Sequence, residues 1–80
     1  MLKITYFEFQ KWDLDKQTEI LTKHGKYIAW REEGEYNIYL YQLEDFFAEA
    51  WMNLRQNKII RIECSNSNSL PGQYGNSVKL

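Results

Sequence analysis

Few side chains in this chain are equipped to do chemistry. There is one histidine, His24, and one cysteine, Cys64. A zinc site takes four ligands, so no metal site is expected. A Cys–His nucleophile pair would need the two to meet in space beside a third, orienting group, and nothing in their placement predicts that meeting. His24 precedes Gly25 where a helix should end, and a basic group there interacts favourably with the helix dipole. Cys64 closes a strand-like run and reads as a small buried hydrophobe. Paired carboxylates occur at Asp13/Asp15, Glu32-Glu33 and Glu44-Asp45, each at a turn or a helix start, where solvated carboxylates are ordinary. Glu49 is different. It lies mid-strand between aromatic residues, where desolvation would raise its pKa and could fit it for general acid–base work. An ion pair with Arg31 or Arg61 is the simpler account. No glycine-rich phosphate loop, Walker motif or EF-hand loop is present. The expectation is a protein that is not an enzyme, with no catalytic residue and no cofactor.

Composition sets the wider frame. The chain has 80 residues, a formal net charge of -1, 44% hydrophobic residues and 26% charged ones, which fits one small soluble domain. That balance supplies no positive field for nucleic acid or anionic lipid. No apolar run approaches the roughly 18 residues of a membrane span, and the N-terminal residues lack the pattern of a signal peptide. A single cysteine excludes an internal disulfide, which favours a cytoplasmic location.

Two helices are expected first. Thr5 and Glu8 have capping-box spacing and predict a short helix over 6–12, against the competing β preference of Ile4, Tyr6 and Phe9. Asp13 reads as the cap of a second helix, with Asp15 in its first turn and Lys23, His24 and Gly25 at its end. Four strands follow, over 26–31, 36–43, 46–52 and 58–64. The first two are joined through Glu32-Glu33-Gly34-Glu35, the next two through Glu44-Asp45, and the last two through 54–57. Such short links join antiparallel neighbours. The fold expected is α+β: an N-terminal helical segment and a four-stranded antiparallel meander. The alternative is ββαβ, with 44–57 helical, because Phe47, Trp51 and Leu54 also fit a helical stripe. Residues 1–64 form the domain. Residues 65–80, rich in Ser, Asn and Gly, read as a flexible tail or as an arm docked through Leu70 and Tyr74.

Strand alternation then sorts side chains by polarity. Ile28, Trp30, Ile38, Leu40, Ala48, Ala50, Met52, Ile60 and Ile62 are assigned to the helix-covered face, where the alanines leave room for a helix. Tyr27, Arg31, Tyr39, Tyr41, Phe47, Glu49, Trp51, Ile59, Arg61 and Glu63 are assigned to the other. Tyr, Trp and Arg are enriched at interface hot spots, and a contiguous aromatic patch marks a contact surface. Cross-strand aromatic pairing and cation–π contacts offer a purely structural account of the same residues.

The expected contact surface is Arg31, Tyr39, Tyr41, Glu49, Trp51 and Arg61. The function read from it is a non-catalytic protein-interaction module, of immunity, antitoxin or anti-defence type, binding a protein partner or a second copy as a homodimer. Replacing Trp51 or Tyr41 by alanine should then abolish binding and leave the fold intact. The alternative is a small-ligand or single-stranded nucleic-acid binder using the same face. Against nucleic acid stand the acidic strand connections and the lack of an RNP-type motif. Both outer strands present edges that Lys26, Lys58 and Arg61 only partly guard, so strand pairing is a second route to assembly.

The stretches 25–31, 40–51 and 58–62 resemble small uncharacterised bacterial proteins over roughly residues 13–64. The resemblance implies a strand at 46–52. It brings no activity, ligand or site, and the tail departs from it.

Overall fold

The computed structural model describes Lys3–Ser65. The tail over 66–80, expected to be flexible or docked, lies outside the described residues. The element order is α1 (Tyr6–Lys11), α2 (Leu14–His24), β1 (Lys26–Glu33), β2 (Tyr36–Leu43), β3 (Phe46–Asn53) and β4 (Lys58–Ser65). The strands form one antiparallel sheet in the order β1-β2-β3-β4. This is the α+β meander expected. The segment 44–57 is not helical, because β3 pairs along its length with both β2 and β4. Each strand except β2 runs one or two residues further than its hydrophobic run, and α1 stops one residue short of Trp12.

Local chemistry sets the boundaries. Thr5 caps α1 by accepting from the Glu8 N–H at 3.1 Å, and its hydroxyl donates to the Glu8 carboxylate at 3.2 Å. Glu8 thus returns to the cap through the hydroxyl. Asp13 caps α2, accepting from the Lys16 N–H at 2.8 Å. Gln17 of α2 donates its side-chain amide to the Phe9 carbonyl at 2.8 Å, which ties the two helices together. Gly25 ends α2 with an extended backbone, φ -76° and ψ 146°, so it is not the left-handed cap that glycine usually supplies. Its requirement is space: a Cβ there would lie 2.5 Å from the Leu21 carbonyl oxygen and 3.2 Å from the Tyr41 ring. The hairpin turns place Gly34 and Glu44 at positive φ, and Asn57 does the same before β4. Glycine and asparagine tolerate that region best.

The side-chain faces differ from the polarity sorting. The Glu44-Asp45 link is a two-residue turn that pairs Leu43 with Phe46, and turn length fixes register. Tyr41 therefore stands opposite Ala48, and Tyr39 opposite Ala50. Ile38 stands opposite Trp51, and Leu40 opposite Glu49. Tyr39 and Tyr41 thus belong to the helix face, and Ile38 and Leu40 to the far face with Phe47, Glu49 and Trp51. Two register shifts exchange further residues. One lies between Tyr27 and Ala29, the other at Trp51/Met52 opposite the Ile59–Arg61 stretch. Tyr27 consequently shares the helix face with Tyr41, and Ile59 shares it with Met52, while Trp30 stands on the helix face opposite Tyr39 as assigned. Ile28 packs with Leu40 and Phe47 of the far face.

The core lies between the helices and the helix face. Phe9, Leu21, Leu43, Phe46, Ala48 and Ala50 are buried there, with Ile4 and Ile20. Ala48 and Ala50 do leave the helices room. Phe46 meets Phe9 and Tyr6 with ring centroids at 5.7 and 5.9 Å. The helices touch mainly β4 and β2, so the β1 end of the helix face extends beyond them.

Candidate functional site

The six residues of the expected contact surface divide between the two faces. On the far face, one cross-strand row runs Arg31–Ile38–Trp51–Arg61 from β1 to β4. The two guanidinium groups flank the Trp51 indole, with Arg61 at 3.9 Å and Arg31 at 5.7 Å from the ring centroid. Tyr36 adds an edge-on contact at 5.6 Å. The next row is Ala29–Leu40–Glu49–Glu63. It sets two carboxylates opposite each other, and each is held by an arginine from the first row. Arg31 reaches Glu49 at 3.4 Å and also binds Glu33, while Arg61 reaches Glu63 at 3.4 Å. Glu49 is therefore the carboxylate half of an ion pair, the simpler of its two expected roles.

Trp51 is only 8% exposed, and its indole N–H is buried with no acceptor among the described residues. A buried unmatched donor costs about 1–3 kcal/mol. An indole held between two cations and nearly closed from solvent is a packed side chain.

The exposed aromatic surface is on the other side of the sheet. Tyr27 and Trp30 of β1 are each 49% exposed and stand opposite Tyr41 and Tyr39 respectively. Tyr27 lies 5.7 Å from the Tyr41 ring and 6.5 Å from the Tyr39 ring. The result is a strip of four aromatics beside the helices, with Tyr39 and Tyr41 half-buried as its floor. Of the expected set, Arg31, Glu49, Trp51 and Arg61 are brought together, and Tyr39 and Tyr41 are a separate group. Trp30 lies on the helix-covered face, as polarity sorting assigned it, and was left out of the contact set because that face was expected to be covered. Counting back from the two-residue turn between Glu33 and Tyr36 would have placed it opposite Tyr39.

Two titratable groups depart from their ordinary values. Burial raises the Tyr41 phenol above its ordinary value, with smaller contributions from neighbouring Tyr27 and Tyr39. Burial pushes the Cys64 thiol up to about 11, which opposes the thiolate that a nucleophile requires. Cys64 stands opposite Ala48 and packs against the core. Because its folded pKa lies above the unfolded value, this stabilisation is complete below the unfolded pKa and is lost as pH rises toward 11. Urea midpoints measured from pH 8 to 11 should fall with pH, and by less in Cys64→Ala. An equal fall in both proteins would remove Cys64 as a cause. His24 is exposed at the end of α2.

Among the described residues, no group of three His, Cys, Asp or Glu is placed to hold a metal ion, and no helix is long and apolar enough to cross a membrane. An open groove of about 500 Å³ runs between α2 and the ends of β3 and β4, lined by Leu14, Asp15, Glu19, Met52, Lys58 and Ile59 together with Thr18. It contains neither histidine nor cysteine. No known protein family, curated protein or solved structure matches this chain, and the resemblance to small bacterial proteins gains no counterpart there.

Proposed function

We propose that this chain is a non-catalytic protein-interaction module whose contact surface is the Tyr27–Trp30 strip of β1, floored by Tyr39 and Tyr41. The observation that carries the reading is the pair of half-exposed aromatics, side by side on an edge strand beyond the reach of the helices. Aromatic side chains supply large contact area at low entropic cost, and they concentrate at hot spots. The outer edge of β1 also offers backbone donors and acceptors that a partner strand can use. A cytoplasmic blocking role of the immunity, antitoxin or anti-defence kind needs no more than one fixed surface of this sort.

The alternative of a single-stranded nucleic-acid binder has less support. Arg31 and Arg61 each lie against a glutamate, and the chain carries no net positive charge.

The test compares wild type with a Tyr27→Ala/Trp30→Ala variant. Affinity capture with nuclease treatment, and light scattering on dilution for self-association, should each be read beside thermal melts. The variant is expected to lose at least tenfold in affinity for a captured partner or for itself, with an unchanged melt; each hot-spot aromatic contributes about 2 kcal/mol or more. The affinity should persist between about 50 and 200 mM salt, where nucleic-acid binding collapses. Undiminished binding by the variant would sink the assignment.

A further inference from the structure

The outer edge of β1 combines exposed rings with an orderly arrangement of charge. β1 ends the sheet on one side, and the helices touch mainly β4 and β2. Among the described residues, Tyr27 and Trp30 are the large exposed hydrophobics that lie on a strand, and both lie on β1. Lys26 begins this strand, Glu32 and Glu33 end it, and all three are exposed. Charge on an edge strand usually guards it against pairing. Opposite charges at the two ends do the reverse for an antiparallel copy of the same strand, because the basic end of each then meets the acidic end of the other.

We propose, resting on the reading of the Tyr27–Trp30 strip as the contact surface, that its partner is a second copy of this chain. β1 pairs with β1 antiparallel, about a two-fold axis normal to the sheet at Trp30. Residues paired across such an axis share a face. Register sets the faces of β1. Tyr27, Trp30 and Glu32 stand opposite Tyr41, Tyr39 and Asn37 on the helix side, and Lys26, Ala29, Arg31 and Glu33 stand opposite Gln42, Leu40, Ile38 and Tyr36 on the far side. Ile28 is the extra residue at the register shift. An axis at Arg31 or Glu32 would set a charge against its own copy. An axis at Ala29 would bring Arg31 opposite the partner's Lys26. An axis at Trp30 sets Lys26 opposite the partner's Glu33, Tyr27 opposite the partner's Glu32, and Ala29 opposite the partner's Arg31, each pair on one face. Opposite charges placed directly across a ladder stabilise it and like charges destabilise it, so charge selects this register. Glu33 also binds Arg31 of its own strand, and its side chain is still 56% exposed, open to a second cation. The two Trp30 rings become neighbours at the axis, and the two four-stranded sheets join into one with both helix layers on the same side.

The test follows self-association of the full chain by sedimentation velocity at one low salt concentration, for wild type, Lys26→Glu and Glu33→Lys. Wild type is expected to form a dimer. Each reversal sets like charges together twice across the axis and should weaken the dimer about tenfold, with unchanged thermal melts. Mixing the two variants should restore wild-type affinity, because in the mixed dimer every reversed charge meets its opposite. In wild type alone, alternate backbone amides of β1 should exchange hydrogen more slowly as concentration rises. A wild type that stays monomeric at NMR concentrations would overturn the proposal, as would undiminished association of either variant or a mixture no tighter than its components. Residues 26 and 33 lie outside the aromatic strip, so the two readings fail separately. A monomeric wild type that captures another protein, and loses it in Tyr27→Ala/Trp30→Ala, would remove the second copy and keep the strip. A charge-sensitive dimer retained by that double variant would sink the strip and keep the edge pairing.

Discussion

Phe46→Ala is expected to leave the domain largely unfolded at 25 °C. Phe46 has no exposed surface and sits where the two helices meet the sheet, between the Phe9 and Tyr6 rings. It is also the first residue of β3, paired with Leu43 across the two-residue turn that fixes the β2–β3 register. Removing a buried phenylalanine ring costs about 3–5 kcal/mol. A domain of this size holds a total of roughly 3–9 kcal/mol, so the loss is comparable with the whole. Phe46→Leu keeps most of the volume and should cost under about 1.5 kcal/mol. Far-UV circular dichroism with urea titration separates the two. A folded Phe46→Ala protein with a midpoint near wild type would show that the helices contribute little to holding the sheet.

The elements were legible because their signals are local. Thr5 announces a helix start by its spacing from Glu8, and Asp13 by its residue type with Asp15 following in the first turn; each makes the expected cap. Short links dictate an antiparallel meander whatever the side chains do. The β3 ambiguity resolved as a strand because a helix over 44–57 would leave the facing edges of β2 and β4 unpaired. Face assignment failed for a different reason. Sorting by polarity assumed that the aliphatic residues of β2 face the helices. The Glu44-Asp45 turn requires the opposite, placing Tyr39 and Tyr41 toward the helix side and Ile38 and Leu40 away from it. That information was in the sequence, as a turn length. Tyrosine suits the margin of a helix layer, where a ring can bury its body and keep its hydroxyl wet, so polarity alone could not decide the matter. The register shifts in β1 and β4 had no local signal. Neither the Tyr27–Ala29 stretch nor the Ile59–Arg61 stretch contains the glycine that often marks a bulge. The candidate site inherited the error, and it was divided between the two faces.

Trp51→Ala discriminates between the two accounts of the far face. If the indole were a binding hot spot, alanine would abolish a contact and spare the fold. The structure assigns it a packing role instead, 8% exposed between the Arg31 and Arg61 guanidinium groups and paired with Ile38. Its removal takes away ring area, two cation–π contacts and the roof over Ile38. The expected cost is about 3–5 kcal/mol, visible as a lower urea midpoint at unchanged slope. Trp51→Phe supplies the control. It keeps an aromatic face for both arginines and deletes the buried N–H that lacks an acceptor among the described residues. Relief of that unmatched donor, worth about 1–3 kcal/mol, offsets the smaller ring, so the midpoint should move by less than about 1 kcal/mol equivalent. The opposite pattern, with Trp51→Ala as stable as wild type, would return the indole to the surface and restore the far face as the place where a partner binds. A large loss for alanine beside a small one for phenylalanine leaves Tyr27 and Trp30 as the aromatic pair free to make contact.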